Sequence, residues 1–337
     1  MNEKKDLILE VNNLKVSFYG ARGTVRAVDD ASFYVKKGET LGIAGESGCG
    51  KSISSMSIMQ LVETPPGRYE GGEIIFDGKT LLNVTGEDKY LIPEKELRKL
   101  RGNEVSYIFQ EPMTSLNPIF RIGDQIAETL IIHRGMNKKE ALKESVRLLD
   151  MVRIPNPERI ASEYPFLLSG GMRQRAMIAM ALACEPKLLV ADEPTTALDV
   201  TVQAQVLALM SDLKSRINAS IMLITHDLGV IAEMSDRVVI MYAGKVVETA
   251  PVYELFADPK HPYTRGLMAS RPDFSTDEGR LNVIPGNVPD LTRRPEGCPF
   301  HPRCGKVKEI CRKKLPPAHR FSDEHIVSCW EYEGEDV

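Results

Sequence analysis

The chain contains no apolar run long enough to cross a membrane, no block of five or six like charges, no internal repeat and no tight cysteine pairs. The first absence leaves any work at a membrane to protein partners, because a spanning helix needs about 20 consecutive apolar residues. The opening MNEKKDLILEV is followed by no apolar run of signal-peptide length, so the expected place is the cytoplasmic side. Lys plus Arg total 43 against 47 for Asp plus Glu, and a chain so balanced is not expected to bind nucleic acid. Its 337 residues suffice for one α/β core and an appended segment.

What is present is an alternation. Short apolar runs precede helix-like segments three times: Leu41 to Ala44 before Ile53 to Leu61, Leu188 to Ala191 before Val202 to Ile217, and Ile221 to Thr225 before Leu228 to Met234. Strand then helix, repeated, is the rhythm of a parallel α/β sheet. Between about Pro112 and Pro165 the strand signals vanish, and Leu142, Val146 and Leu149 fall at helical spacing, which predicts a helical insert. Arg237 to Tyr242 and Lys245 to Thr249 flank Ala243-Gly244 and predict a hairpin. The core is expected to span residues 1–256. From Pro251 onward lie 11 of the 21 prolines, so residues 257–337 are expected to be an irregular appendix.

Gly45-Glu46-Ser47-Gly48-Cys49-Gly50-Lys51-Ser52 follows a predicted strand and opens a predicted helix. The bare pattern arises by chance in roughly one chain of this length in a hundred, so the strand ahead of it is what makes it a phosphate-binding loop. Its glycines let successive N–H groups point at phosphate oxygens, and the helix adds its positive end. Lys51 is placed to reach the β- and γ-phosphates, and Ser52 to offer a hydroxyl to Mg²⁺. Leu188 to Glu193 is a buried-strand pattern ending in two acids. Asp192 suits Mg²⁺ and Glu193 a general base, although such a pair can also cap a helix.

Leu168-Ser169-Gly170-Gly171-Met172-Arg173-Gln174-Arg175 resembles the signature of the ABC ATPase family, with Met172-Arg173 ahead of Gln174. The resemblance implies a P-loop ABC core of mixed sheet with a helical insert, and ATP and Mg²⁺ as cofactors. It further implies that Gln110 is the Q-loop residue and a ligand to Mg²⁺, that Thr195 to Asp199 form the D-loop, and that His226 is the switch histidine. Phe18 or Tyr19 would stack on adenine; an aromatic packed in the core is the other reading. Ser169, Gly170, Gly171, Gln174 and Asp199 would serve a partner's nucleotide, so catalysis requires a second, similar subunit.

Gln110 to Pro118 and Ile284 to Leu291 resemble the D-type ATP-binding subunits of dipeptide/oligopeptide permeases. That branch implies a second ATPase subunit, different from this one, two transmembrane permease subunits, an extracytoplasmic binding protein, and a peripheral position on the cytoplasmic face of the membrane. The cargo would be peptide, or nickel in close relatives. A soluble, non-transport ABC ATPase is the reading from another class, but its usual tandem halves or long coiled-coil insertion are missing. Cys298, Cys304, Cys311 and Cys329 have five, six and seventeen residues between them; four thiolates can close a [4Fe–4S] cluster or a zinc site, with disulfides or free thiols as the remaining reading. The spacing favours the iron–sulfur cluster, as a staple for an appendix with no core of its own.

Overall fold

Thr40–Ala44, Leu188–Asp192 and Ser220–Ile224 have every residue buried, as strands covered on both faces must. The computed structural model of the chain describes residues 6–21, 23–86, 88–110, 115–196, 198–270 and 283–334. In chain order the elements begin with β1 (Leu7–Gly20), β2 (Gly23–Lys36), β3 (Thr40–Ala44), α1 (Lys51–Ile58), β4 (Gly67–Phe76), β5 (Lys79–Thr85), β6 (Asp88–Leu91), α2 (Glu94–Leu100) and β7 (Val105–Ile108). Four helices follow: α3 (Ile122–Arg134), α4 (Lys138–Met151), α5 (Pro157–Ala161) and α6 (Gly170–Leu182). Then come β8 (Leu188–Asp192), α7 (Val200–Ile217), β9 (Ser220–Ile224), α8 (Leu228–Met234), β10 (Arg237–Tyr242) and β11 (Lys245–Pro251). The chain finishes with α9 (Val252–Ala257), α10 (Pro262–Ala269), β12 (Ala318–Arg320) and β13 (Ile326–Ser328). The chain forms two compact units, one of residues 1–35, 40–91 and 225–337, the other of residues 36–39 and 92–224.

The first unit holds an antiparallel sheet in the order β2–β1–β4–β5–β6, paired through Leu9↔Phe76 and Val11↔Ile74, with these four side chains buried. It also holds the run β12–β13–β11–β10–β3, in which β10 lies parallel to β3 and antiparallel to β11. Ala243 (φ 48°) and Gly244 (φ 81°) make the expected turn between β10 and β11. The C-terminal segment departs from expectation. It is not irregular throughout, because β13 pairs with β11 through Glu248↔Val327 and Thr249↔Ile326. Nor does it stand apart from the core: Cys298, Phe300, Cys311 and Trp330 are buried in one cluster with Val238, Ile240, Tyr242 and Tyr263. Aromatic side chains supply what the prolines interrupt, with Phe300 edge-on to Tyr242 at 5.2 Å between centroids.

In that cluster His261 is buried, accepts at Nδ1 from the Tyr263 N–H at 3.0 Å, and so caps α10 as a neutral imidazole. Burial pulls its pKa down from 6.5 to about 4. The unfolded chain therefore binds a proton that the folded chain refuses between those values. Its contribution to stability is fully present above pH 6.5 and is lost as pH falls toward 4, by about 3 kcal/mol in all. Thermal melts from pH 7.5 to 4 are expected to show that slope, and His261→Gln to flatten it.

In the second unit β9–β8–β7 is a parallel run, with Asp192 opposite Ile224 and Ala191 opposite Ile108. The helical stretch runs on beyond the expected end near Pro165, through α6 to Leu182. Asn137 and Glu140 close a capping box on α4, which buries Ala141, Ser145, Leu148 and Leu149. Leu142 and Val146, expected on the inner face, lie at its margin. Glu111 to Thr114 of the anticipated Q-loop, and Ala197 of the anticipated D-loop, fall outside the described residues.

Candidate functional site

In the first unit β3 delivers the chain into a loop that only glycine can build. Gly45, Gly48 and Gly50 have φ of 151°, 75° and 102°. A Cβ on Gly45 would stand 2.2 Å from the Met241 carbonyl oxygen, and one on Gly50 2.4 Å from that of Ala27. The loop is held from outside by the Gly244 N–H, which donates to the Cys49 carbonyl at 2.8 Å. Lys51 is buried, and its Nζ donates to the carbonyls of Gly45 (2.7 Å) and Glu46 (3.1 Å), so the ammonium lies over the loop it is expected to serve. Ser47 and Gly48 are exposed, Ser52 is half-buried, and Gly45, Cys49 and Gly50 are buried. Burial pushes the Cys49 thiol up, which keeps it a neutral packing group. A phosphate-sized anion fits this arrangement: a glycine loop with open space at Gly48, an eight-residue helix beginning at Lys51, and an ammonium at the mouth.

The same unit carries the aromatic pair. Tyr19 is exposed, its hydroxyl bonded to Glu70, whereas Phe18 is half-buried and packs toward Gly67. The accessible ring is thus that of Tyr19. His226 is exposed, immediately before Asp227, whose carboxylate caps α8 through the Gly229 and Val230 N–H groups.

The second unit carries the acids. Asp192, at the end of β8, is buried and accepts from the Tyr107 hydroxyl at 2.9 Å. Glu193 has φ 47°, a conformation that costs a residue with a side chain roughly 1 kcal/mol or more and that clusters at working sites. Its Oε2 accepts from Gln110 Nε2 at 3.0 Å and from Thr196 Oγ1 at 2.8 Å, while its own N–H donates to the Ile224 carbonyl. Gln110 and Glu193, 83 positions apart in sequence, therefore meet. Tyr107 escaped the sequence reading, and Thr196 was read only as part of the D-loop, not as a partner of Glu193. Only the registers of β7 and β8 and the turn after β8 bring them to the acids.

Ser169 caps α6, its hydroxyl accepting from the Met172 N–H at 3.3 Å, and Asp199 caps α7 in the same way from Val202. Gly171 lets the two helices approach, since a Cβ there would lie 2.7 Å from Val202. Around them is a cavity of about 420 Å³ lined by Ser169, Gly170, Gly171, Met172, Arg175 and Asp199 among others. Gln174 does not line it. It is 1% exposed and points inward, because at this place in α6 it faces the packed side, so Met172 fronts the cavity instead. A second cavity of about 570 Å³ is lined by Phe120, Asp124, Glu128, Ile131, Ile132 and Lys138, with Ile132 66% exposed.

The four C-terminal cysteines are free thiols that feel one another's charge. Burial pushes Cys298 up to about 12 and Cys329 up to about 11, and raises Cys304 as well. Cys311 and Cys329 accept backbone N–H bonds from Lys308 and Glu331, both at 3.4 Å. Among the described residues no group of three or more His, Cys, Asp or Glu side chains is placed to hold a metal ion. The expected [4Fe–4S] or zinc site at Cys298, Cys304, Cys311 and Cys329 is therefore not supported: Cys298 and Cys311 are buried in the apolar cluster, with Cys304 packed against it.

A glycine loop with its lysine, a strand-end Asp-Glu pair bound to Gln110, and a serine-capped Gly-Gly helix define the class as an ATP-binding cassette, and the chain belongs to the ABC transporter family. The family profile described as ABC transporter matches residues 28–196, and one described as oligopeptide/dipeptide transporter, C-terminal region, matches residues 247–311. The chain is 52% identical to the oligopeptide transport ATP-binding protein AppD of Bacillus subtilis, over 97% of this chain and 98% of AppD. It is 49% identical to the oligopeptide transport ATP-binding protein OppD of Salmonella typhimurium, over 97% and 94%. Among solved structures it is similar to the dimeric bacterial ABC transporter cassette MJ0796, with a TM-score of 0.62 and 27% identity, over 72% of this chain and 98% of that one.

Proposed function

We propose that this chain is the ATP-binding and ATP-hydrolysing subunit that energises import of oligopeptides or dipeptides across the cell membrane. The observation that carries the chemistry is the carboxylate of Glu193, held at a strained backbone position by Gln110 and Thr196 beside the buried Asp192. The peptide branch is supported by near full-length similarity to the two oligopeptide transport proteins and by the C-terminal match.

Each residue has a task that its surroundings suit. The loop amides from Ser47 to Lys51 hold the phosphates, and Lys51 exchanges its bonds to loop carbonyls for bonds to phosphate oxygens. Tyr19 offers its exposed ring to the base. The Ser52 hydroxyl, the Asp192 carboxylate and the Gln110 amide oxygen are hard ligands that would suit Mg²⁺, and the ion would supply charge neutralisation to the triphosphate. Glu193 accepts a proton from the attacking water, with Gln110 and Thr196 fixing its orientation. His226, exposed, takes the role of bonding a γ-phosphate oxygen. The cavity at Ser169 to Met172 serves the nucleotide of a second ATPase subunit.

No helix among the described residues is long and apolar enough to cross a membrane, so the coupling runs through partners. The cavity at Ile131 and Ile132, apolar but edged by Asp124 and Glu128, suits a cytoplasmic helix of a permease subunit that carries apolar and basic residues. With its second ATPase subunit, its two permease subunits and a loaded peptide-binding protein in vesicles, the chain is expected to hydrolyse ATP several-fold faster with peptide than without. Unchanged turnover with every peptide, or stimulation by nickel instead, would overturn the peptide reading.

A further inference from the structure

The phosphate-binding loop contains an acid. Glu46 is the loop's second residue, and a carboxylate there raises the cost of bringing in a triphosphate. The structure answers it from the far end of the chain. Arg303 grips Glu46 with both arms of its guanidinium, Nη1 to Oε2 at 2.7 Å and Nη2 to Oε1 at 3.0 Å, a two-bond fork that lysine cannot reproduce. The Arg303 side chain is only 5% exposed and that of Glu46 28%, so water screens the pair weakly.

Arg303 is itself immobilised. Its Nε donates to the Pro285 carbonyl at 3.0 Å, Nη2 to that of Ile284 at 3.4 Å, and Nη1 to the Tyr242 hydroxyl at 3.4 Å. Gly286, at φ 77°, leaves room for its aliphatic stem, since a Cβ there would lie 3.4 Å from Arg303 Cγ. From the other side of the loop residue the Glu46 N–H donates to the Tyr263 hydroxyl at 2.8 Å. A second C-terminal arginine repeats the pattern on the loop's outer support. Arg294 bonds the Asp29 carboxylate and the carbonyls of Ala243 (2.5 Å) and Arg26 (3.0 Å), next to the Gly244 N–H that holds Cys49.

We propose that Arg303 is a positioning residue for ATP binding: it neutralises Glu46 and holds the phosphate loop from the C-terminal segment, so that segment sets nucleotide affinity. The proposal rests on the reading of the loop as the ATP site. It explains why the segment Ile284-Pro285-Gly286 packs where it does: it is the seat of the arginine, not a separate module.

Binding of trinitrophenyl-ATP to the full-length protein, followed by fluorescence at two salt concentrations, tests it. Arg303→Met is expected to raise Kd about tenfold, and more at low salt, because it strands a carboxylate beside the phosphates. Glu46→Gln alone is expected to bind within about threefold of wild type, and Glu46→Gln combined with Arg303→Met to recover most of the loss. In the assembled transporter the Arg303→Met effect is expected in KM, with kcat little changed. An unchanged Kd in Arg303→Met, or a loss that persists in the double variant, would overturn the electrostatic role. Should Arg303→Met not fold, a tenfold loss in Glu46→Gln alone would overturn it equally. Lys51→Ala in the same assay separates the two readings: if it binds like wild type, the ATP site itself has been misplaced.

Discussion

Glu193→Gln is expected to lower ATP turnover in the assembled complex by at least about 100-fold while leaving ATP binding intact. The geometry explains why the two properties separate. Glu193 Oε2 only accepts hydrogen bonds, from Gln110 Nε2 and Thr196 Oγ1, and an amide oxygen placed there accepts the same pair. The fold and the orientation of the side chain are therefore retained, but the group can no longer take a proton from water. Because the phosphate loop is untouched, nucleotide still binds, and the variant is expected to accumulate as an ATP-bound dimer with its partner, seen by size-exclusion chromatography with ATP. Wild-type turnover in this variant would remove Glu193 from the role of base.

Gly50→Ala is expected to abolish measurable ATP binding, with Kd raised by more than about 100-fold and a lower melting temperature, whereas Gly48→Ala is expected to be mild. Both glycines have positive φ, 102° and 75°, so each substitution carries a backbone strain of roughly 1 kcal/mol. Only at Gly50 does the new methyl also collide, 2.4 Å from the Ala27 carbonyl and 3.4 Å from Gly244 Cα, both backbone atoms that cannot swing aside. At Gly48 nothing lies within 4 Å. Strand β2, which holds Ala27, or the turn that holds Gly244 must move for Gly50→Ala to fit, and the loop N–H groups move with them. Calorimetric titration with ATP and a melt of both variants check the contrast; equal behaviour would mean that the loop is looser than its packing implies.

Much of the active chemistry was legible in sequence because it is local. The glycine loop from Gly45 to Ser52 is a run of consecutive residues, and Asp192-Glu193 a pair at a strand end, so a short motif contains most of the information. The signature was legible in the same way at Ser169 to Gly171, yet counting letters selected Gln174, which the turn of α6 buries, over Met172, which it presents. The antiparallel sheet β2–β1–β4–β5–β6 left little trace, since its strands alternate buried and exposed residues without the long apolar runs of β8 or β9. The cysteines pointed elsewhere: four thiols in one proline-rich stretch suggested a ligand set, whereas Cys298 and Cys311 are buried in one cluster with Phe300 and Trp330.

By itself, then, the sequence determined the reaction class and its family, because phosphate cradles, strand-end acids and capped glycine helices are built from neighbours along the chain. What only the tertiary structure decided are the pairings across distance: Gln110 with Glu193, Tyr107 with Asp192, and Arg303 with Glu46, which lies 257 positions away. Such contacts follow from strand register and from where the C-terminal segment packs, and a side chain's neighbours in space are not encoded in any spacing of letters.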